Sequence, residues 1–222
     1  MTRSGSASGS GSGNDVHPMA ESMRIGLLGG TFDPIHVGHL LIADAARERM
    51  HLDSVVFIPA GRPWLKGGMD ISQPDHRLAM VELALRGHPN FSVSKIELER
   101  PGPTYTVDTL EQMRHELGPE ADLFLVLGMD SLRELARWRR PARLFELCTV
   151  VGVSRPGYED VAPSCLDEVA DGASRRVELV RGPLVNISGT EIRARVSMGQ
   201  SLGFCVPKSV AAYIQKHGLY RS

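Results

Sequence analysis

Six short runs rich in aliphatic and β-branched residues, set between longer amphipathic stretches, restrict this chain to a wound α/β architecture. The runs are Arg24–Gly29, Ser54–Pro59, Phe91–Leu98, Asp122–Gly128, Thr149–Ser154 and Arg176–Val180. Several are apolar throughout, the pattern of a strand covered on both faces, as parallel strands are. Helical periodicity fills the intervals Gly38–Met50, Asp75–Arg86, Thr106–Glu116, Ser131–Arg137 and Pro163–Ala170. Such alternation predicts right-handed crossovers and an open, mainly parallel sheet with helices on both faces. Beyond Asn186 the strand pattern stops, and "ISGTEIRARVSMG" and "PKSVAAYIQKHGLY" predict two closing helices. Residues 23–222 are therefore expected to form one domain, with a core over 23–186 and a small helical segment over 187–222. Ligands of such sheets bind beyond the carboxyl ends of the strands, so residues just after each run hold the chemistry.

Charge excludes some partners. With a formal charge of −1 over 222 residues and acids and bases interspersed, broad binding to nucleic acid or to an anionic membrane is not expected. Cys148, Cys165 and Cys205 are far apart and form no C-x-x-C pair, which points to neither a zinc knuckle nor a disulfide framework, but to a reduced, cytoplasmic setting. Residues 1–22, "MTRSGSASGSGSGNDVHPMAES", are rich in Ser and Gly. They read as a disordered tail without the apolar segment of a signal peptide. No apolar run in the chain is long enough to span a bilayer. Oligomeric state is left open.

The first run exits into Gly29, Gly30, Thr31, Phe32, Asp33 and Pro34. Glycines there let backbone N–H groups approach an anion closely. A helix is expected to start between Ile35 and Gly38, and its first turn favours phosphate. His36 and His39, three apart, then project to one side. Histidines in a first turn are also commonly surface or capping groups, and that reading stands equally well on these residues alone. Zinc is disfavoured, since no third ligand lies at a suitable spacing.

Near the other end, "NISGTEIRARV" supplies a second helix start. Ser188 and Glu191 fit a capping box, with Ile187 and Ile192 placed as a hydrophobic staple. Capping accounts for Ser188 and Glu191 but not for Thr190 and Arg193, which add a hydroxyl and a guanidinium to an anion-ready helix end.

Together these stretches resemble a known superfamily. "GGTFDPIHVGH" is similar to the T/H-x-G-H signature of the nucleotidyltransferases, and "ISGTEIR" to their I-S-x-T-x-I-R motif. The resemblance narrows further. "VVFIPAGRPWLKGG", "SKIELERPGPTYTVDTLEQM" and "LFLVLGMDSLRELARWRRPARLFELCTVVGVSRPG" look like bacterial nicotinate-nucleotide adenylyltransferases, over essentially Met23 to Tyr220. One departure is visible: where that family reads P-P-H-K, this chain reads R-P-W-L-K, with Leu65 in place of the histidine and Lys66 retained.

The resemblance implies a Rossmann-like fold and adenylyl transfer from ATP to nicotinate mononucleotide, giving deamido-NAD and pyrophosphate. It implies that His36 and His39 meet the ATP phosphates at the attacked α-phosphate, and that the backbone of Gly29, Gly30, Thr31 and Phe32 cradles them. Ile187, Ser188, Thr190 and Arg193 would hold the β- and γ-phosphates, Mg²⁺ would be held mainly by the phosphates, and Lys66 would reach a phosphate of the mononucleotide. Asp130, just past Gly128, is placed to accept from ribose hydroxyls, although it could equally cap the next helix. Tyr105 and Trp138 are the aromatics suited to flank a pyridine, with the Thr106 N–H meeting the nicotinate carboxylate. For Trp138, helix packing with Leu132 and Leu135 is the competing assignment. Phosphopantetheine adenylyltransferase shares the first motif but lacks "TYTVDTL". A non-catalytic nucleotide-binding regulator on the same fold has no need of His36, His39 and Arg193 together.

Overall fold

The computed structural model describes residues 22–62, 71–154, 163–182 and 185–221. Six strands, β1 (Arg24–Gly30), β2 (Ser54–Pro59), β3 (Phe91–Val93), β4 (Asp122–Gly128), β5 (Thr149–Ser154) and β6 (Val177–Arg181), form one sheet. Every neighbouring pair is parallel, and the order is β3-β2-β1-β4-β5-β6. The order reverses between β1 and β4, which opens a crevice at their carboxyl ends where helices leave on opposite faces.

Side-chain alternation along the strands divides the interior in two. Leu123, Leu125 and Leu127 of β4 join Ile25 and Leu27 of β1 on one face. That face is covered by α3 (Thr106–Leu117), α4 (Met129–Arg133) and α5 (Pro141–Leu147). Phe124 and Val126 point the other way with Leu28, Val55 and Phe57. They lie beneath α1 (Val37–Arg49), α2 (Pro74–Leu85), α6 (Gly189–Ser197) and α7 (Lys208–His217). A strand with a buried residue at each step has no polar face, which explains the unbroken apolar runs. Among the described residues no helix is long and apolar enough to cross a membrane.

Several elements differ from expectation. The third strand stops at Val93 instead of Leu98. Past it, Ser94 Oγ accepts the Ile96 N–H at 3.3 Å, and the buried Glu97 turns inward to accept the Thr109 hydroxyl at 2.8 Å. The V-x-K-x-E alternation is that of a polar turn, not of an edge strand. The helix expected over Ser131–Arg137 is α4 followed by a separate 3₁₀ turn at Leu135–Arg137. The 163–170 segment is 3₁₀ over Pro163–Glu168 rather than α-helical. Helix α5 was not anticipated, because Pro141 reads as a breaker. It sits instead at the helix start, after Arg140 in a left-handed conformation with φ 47°, where a missing N–H costs nothing. Residues 1–21, most of the expected tail, lie outside the described residues.

Candidate active site

The exit of β1 is shaped by one close packing. Phe32 adopts φ 50° and is buried, folding its ring back over Gly30, where a Cβ would lie 2.8 Å from the ring. Only glycine leaves room for that fold. At Gly29 a Cβ would meet nothing within 4 Å, so the backbone there faces open space. His36 is the N-cap of α1, with extended backbone, and His39 sits in the helix's first turn. Their rings stack at 3.7 Å between centroids, and His39 meets the Phe32 ring edge-to-face at 5.0 Å. The His36 backbone N–H donates to His39 Nδ1 at 3.2 Å. That bond requires a lone pair on Nδ1, so neutral His39 carries its proton on Nε2.

Helix α1 is less free to bind anions than its position suggests. The Val37 N–H donates to the Cys205 carbonyl at 2.9 Å, and the His39 N–H to the His36 carbonyl at 3.0 Å. Two first-turn donors are thereby engaged, and the imidazoles themselves become the chief polar groups at this end.

Across the crevice, Ser188 caps α6 as expected, its Oγ accepting the Glu191 N–H at 3.1 Å. Ile187 and Ile192 pack in the same hydrophobic cluster. Arg193 Nη1 donates to the Asp33 carbonyl at 2.7 Å, and Nη2 to Thr190 Oγ1 at 3.3 Å. A Cβ at Gly189 would come within 3.1 Å of the same Asp33 carbonyl. The two ends of the chain therefore enclose one small cavity of about 150 Å³, lined by Thr31, Phe32, His36, His39, Thr190 and Arg193 among others. A larger depression of about 780 Å³ beside α7 is lined mainly by Gly, Ser, Gln and aliphatic residues. It lacks the convergent histidines and arginine that line the smaller cavity.

Beneath the cavity lies a support that sequence reasoning missed. Arg77, on α2, is only 1% exposed. It donates to the carbonyls of Ser72 (3.0 Å), Thr31 (2.9 Å) and Gly61 (3.3 Å). Burial holds its guanidinium below the ordinary arginine range, and the nearby Asp33 carboxylate offsets part of that. Asp33 accepts the Ser72 N–H at 3.2 Å and the Tyr220 hydroxyl at 2.6 Å. Burial first, and then the bond to Asp33, push the Tyr220 phenol above its usual range. A signal for Arg77 exists in the sequence: with Met80, Val81 and Ala84, all buried, it occupies the apolar stripe of α2.

The remaining expected residues lie elsewhere along the crevice. Gly128 ends β4 and is itself the N-cap of α4, so Asp130 is exposed within the first turn and is not the cap. Tyr105 is the N-cap of α3 and Thr106 its first residue. The Arg139 guanidinium lies 4.5 Å above the Tyr105 ring, so a cation already covers one face of that aromatic. Trp138 packs against the same hydrophobic cluster as Tyr105. Its Nε1–H is buried with no hydrogen-bond partner among the described residues. Leu65 and Lys66 lie outside the described residues.

Residues 27–195 match the cytidylyltransferase-like family model. A chain of Roseiflexus sp. (strain RS-1) named "Probable nicotinate-nucleotide adenylyltransferase" is 48% identical over 90% of this chain and 99% of its own length. One of the same name from Thermomicrobium roseum is 44% identical over 90% and 92%. In fold, the chain is similar to the Plasmodium falciparum nicotinic acid mononucleotide adenylyltransferase complexed with NaAD, at 19% identity and a TM-score of 0.72. That alignment covers 89% of this chain and 97% of the other. Such identities, over nearly the whole length of the relatives and including both motifs that enclose the cavity, place the chain in the nicotinate-nucleotide adenylyltransferase family of nucleotidyltransferases.

Proposed function

We propose that the chain joins nicotinate mononucleotide to the adenylyl group of ATP, giving deamido-NAD and pyrophosphate. The observation that carries the residue roles is the meeting of His36, His39, Thr190 and Arg193 around one cavity at the strand-order reversal. In the reaction a phosphate oxygen of the mononucleotide forms a bond to the α-phosphorus of ATP. The bond from that phosphorus to the bridging oxygen breaks, and pyrophosphate leaves with the electron pair. The attacking phosphate is already anionic, so no enzyme base or covalent intermediate is needed. Catalysis then rests on in-line positioning and on neutralising charge.

His39 donates from Nε2 to a non-bridging oxygen of the α-phosphate, with His36 stacked behind it. Arg193 and the start of α6 take the pyrophosphate portion, which accumulates charge as it leaves. Among the described residues no group of three His, Cys, Asp or Glu side chains could hold a metal ion. Mg²⁺ would enter with the nucleotide substrate, held mainly by its phosphates, and would neutralise part of their charge. Tyr105, Thr106 and Trp138 form the pyridine end, and Asp130 serves a ribose. Lys66 serves the mononucleotide phosphate. A reduced cytoplasm suits the buried thiol of Cys148, which burial pushes up to about 12.

The test is pyrophosphate release from ATP and Mg²⁺ with nicotinate mononucleotide, nicotinamide mononucleotide or phosphopantetheine as acceptor. Release is expected to be fastest with the nicotinate form. Faster release with phosphopantetheine reassigns the substrate, and silence with all three identifies a nucleotide-binding regulator. Trp138→Ala is expected to raise KM for the mononucleotide roughly tenfold, in line with loss of an aromatic stack of about 1 kcal/mol or more. KM for ATP stays near its starting value. A loss of thermal stability with both KM values unchanged returns Trp138 to the core.

A further inference from the structure

The cavity is tied to the far end of the chain by a single carboxylate. Asp33 is buried, and its three oxygens are bound by three different segments. Oδ2 accepts the Ser72 N–H ahead of α2, Oδ1 accepts the Tyr220 hydroxyl beyond α7, and the carbonyl accepts Arg193 of α6. Where the Asp33 carbonyl stands therefore decides where Arg193 stands. The fit is tight, since even a methyl on Gly189 would lie 3.1 Å from that carbonyl. Tyr220 is half-buried and packs on the same cluster as Phe32, Ile187 and Ile192. Its ring is thus held by packing, and its hydroxyl donates to one carboxylate oxygen 187 positions earlier while also meeting the Ser72 side chain.

Neither nucleotide nor mononucleotide needs to touch Tyr220 for this bond to matter. A phenol donating to a carboxylate fixes the side-chain rotamer of Asp33, and the buried Arg77 fixes the adjoining backbone through the Thr31 carbonyl. Together they leave the Asp33 carbonyl one orientation, facing α6. We infer that Tyr220 is a positioning residue, whose hydroxyl holds Asp33 so that the Asp33 carbonyl aims Arg193 at the phosphates of the bound nucleotide. The inference rests on the phosphate role proposed above for Arg193. It extends the phosphate site to a residue that does not line the cavity.

The experiment uses the full chain and inorganic tripolyphosphate with Mg²⁺, so it does not depend on which acceptor the enzyme prefers. Affinity is measured by calorimetry for the starting protein, Tyr220→Phe, Arg193→Ala and the double variant. Tyr220→Phe keeps the packed ring and is expected to weaken tripolyphosphate about fivefold, the scale of one ordinary hydrogen bond. In the Arg193→Ala background the same change is expected to have no further effect, because the two residues act in series. In turnover, Tyr220→Phe raises KM for ATP and leaves KM for the mononucleotide unchanged. An equal fivefold loss with or without Arg193, or no loss at all, overturns the inference and leaves Tyr220 a packing residue. Failure of the starting protein to bind tripolyphosphate overturns the phosphate clamp itself, a distinct outcome. Should circular dichroism show Tyr220→Phe unfolded, Asp33→Asn replaces it in the same cycle, with the same expected coupling to Arg193.

Discussion

Replacing His39 by Ala is expected to lower kcat by about 10²–10³-fold, the usual loss for one donor aimed at charge that develops in a transition state, while KM for ATP is expected to stay close to the starting value. The geometry explains the asymmetry. His39 Nδ1 is committed to the His36 N–H, so the only donor the neutral ring offers a phosphate is Nε2–H. The ring's position is fixed from two sides, by the His36 stack at 3.7 Å and by the Phe32 edge at 5.0 Å. A donor held this rigidly needs no reorganisation as the α-phosphorus passes through its in-line displacement. On the proposed roles the ground-state triphosphate would keep Arg193, Thr190 and the α6 amides when His39 is removed, so binding is expected to survive. Steady-state kinetics with ATP varied at saturating mononucleotide make the comparison. Equal losses in kcat and in ATP affinity remove the transition-state role.

The largest loss of stability is expected from Arg77→Met. The methionine matches the stem but leaves three carbonyls without their donor and removes a cation whose charge acts on Asp33. Each buried carbonyl left without a donor costs about 1–3 kcal/mol, so a loss of about 3–5 kcal/mol is expected, which for a chain of this size lowers Tm by on the order of 10 °C. Thermal unfolding followed by circular dichroism measures it. A Tm unchanged within error means that water or other donors serve those carbonyls. The damage is not expected to stay local, because the Thr31, Gly61 and Ser72 carbonyls belong to three segments that border the cavity or run beneath it.

Strands β2, β4 and β5 occupy the residues expected of them, since an apolar run covered on both faces tolerates no polar interruption and shows its own limits. Edge and capping chemistry was harder to anticipate. Glu97 sits in an alternating pattern that mimics a strand, yet its carboxylate is buried for the sake of Thr109. Pro141 looks like a break in the chain and is instead a helix start. At the cavity, both enclosing motifs were legible because each is a compact string near one helix end. Asp33 and Tyr220 were not, because their meaning lies in contacts up to 187 positions apart, and Arg77 showed only its place in the apolar stripe of α2, not its carbonyl partners, which every residue type carries alike. The engaged Val37 N–H escaped notice for the same reason, since its acceptor is the backbone of Cys205.

The bond between residues 33 and 220 also sets a schedule. A chain emerging from the ribosome makes β1, α1 and β2 early, with His36 and His39 already on one turn. Arg193 follows 160 positions after Asp33, and the Tyr220 phenol 187 positions after it. Contacts of such long separation are slow to form. A chain made only as far as α1 would offer two histidines without the guanidinium opposite them, so on the proposed roles nucleotide binding would await α6.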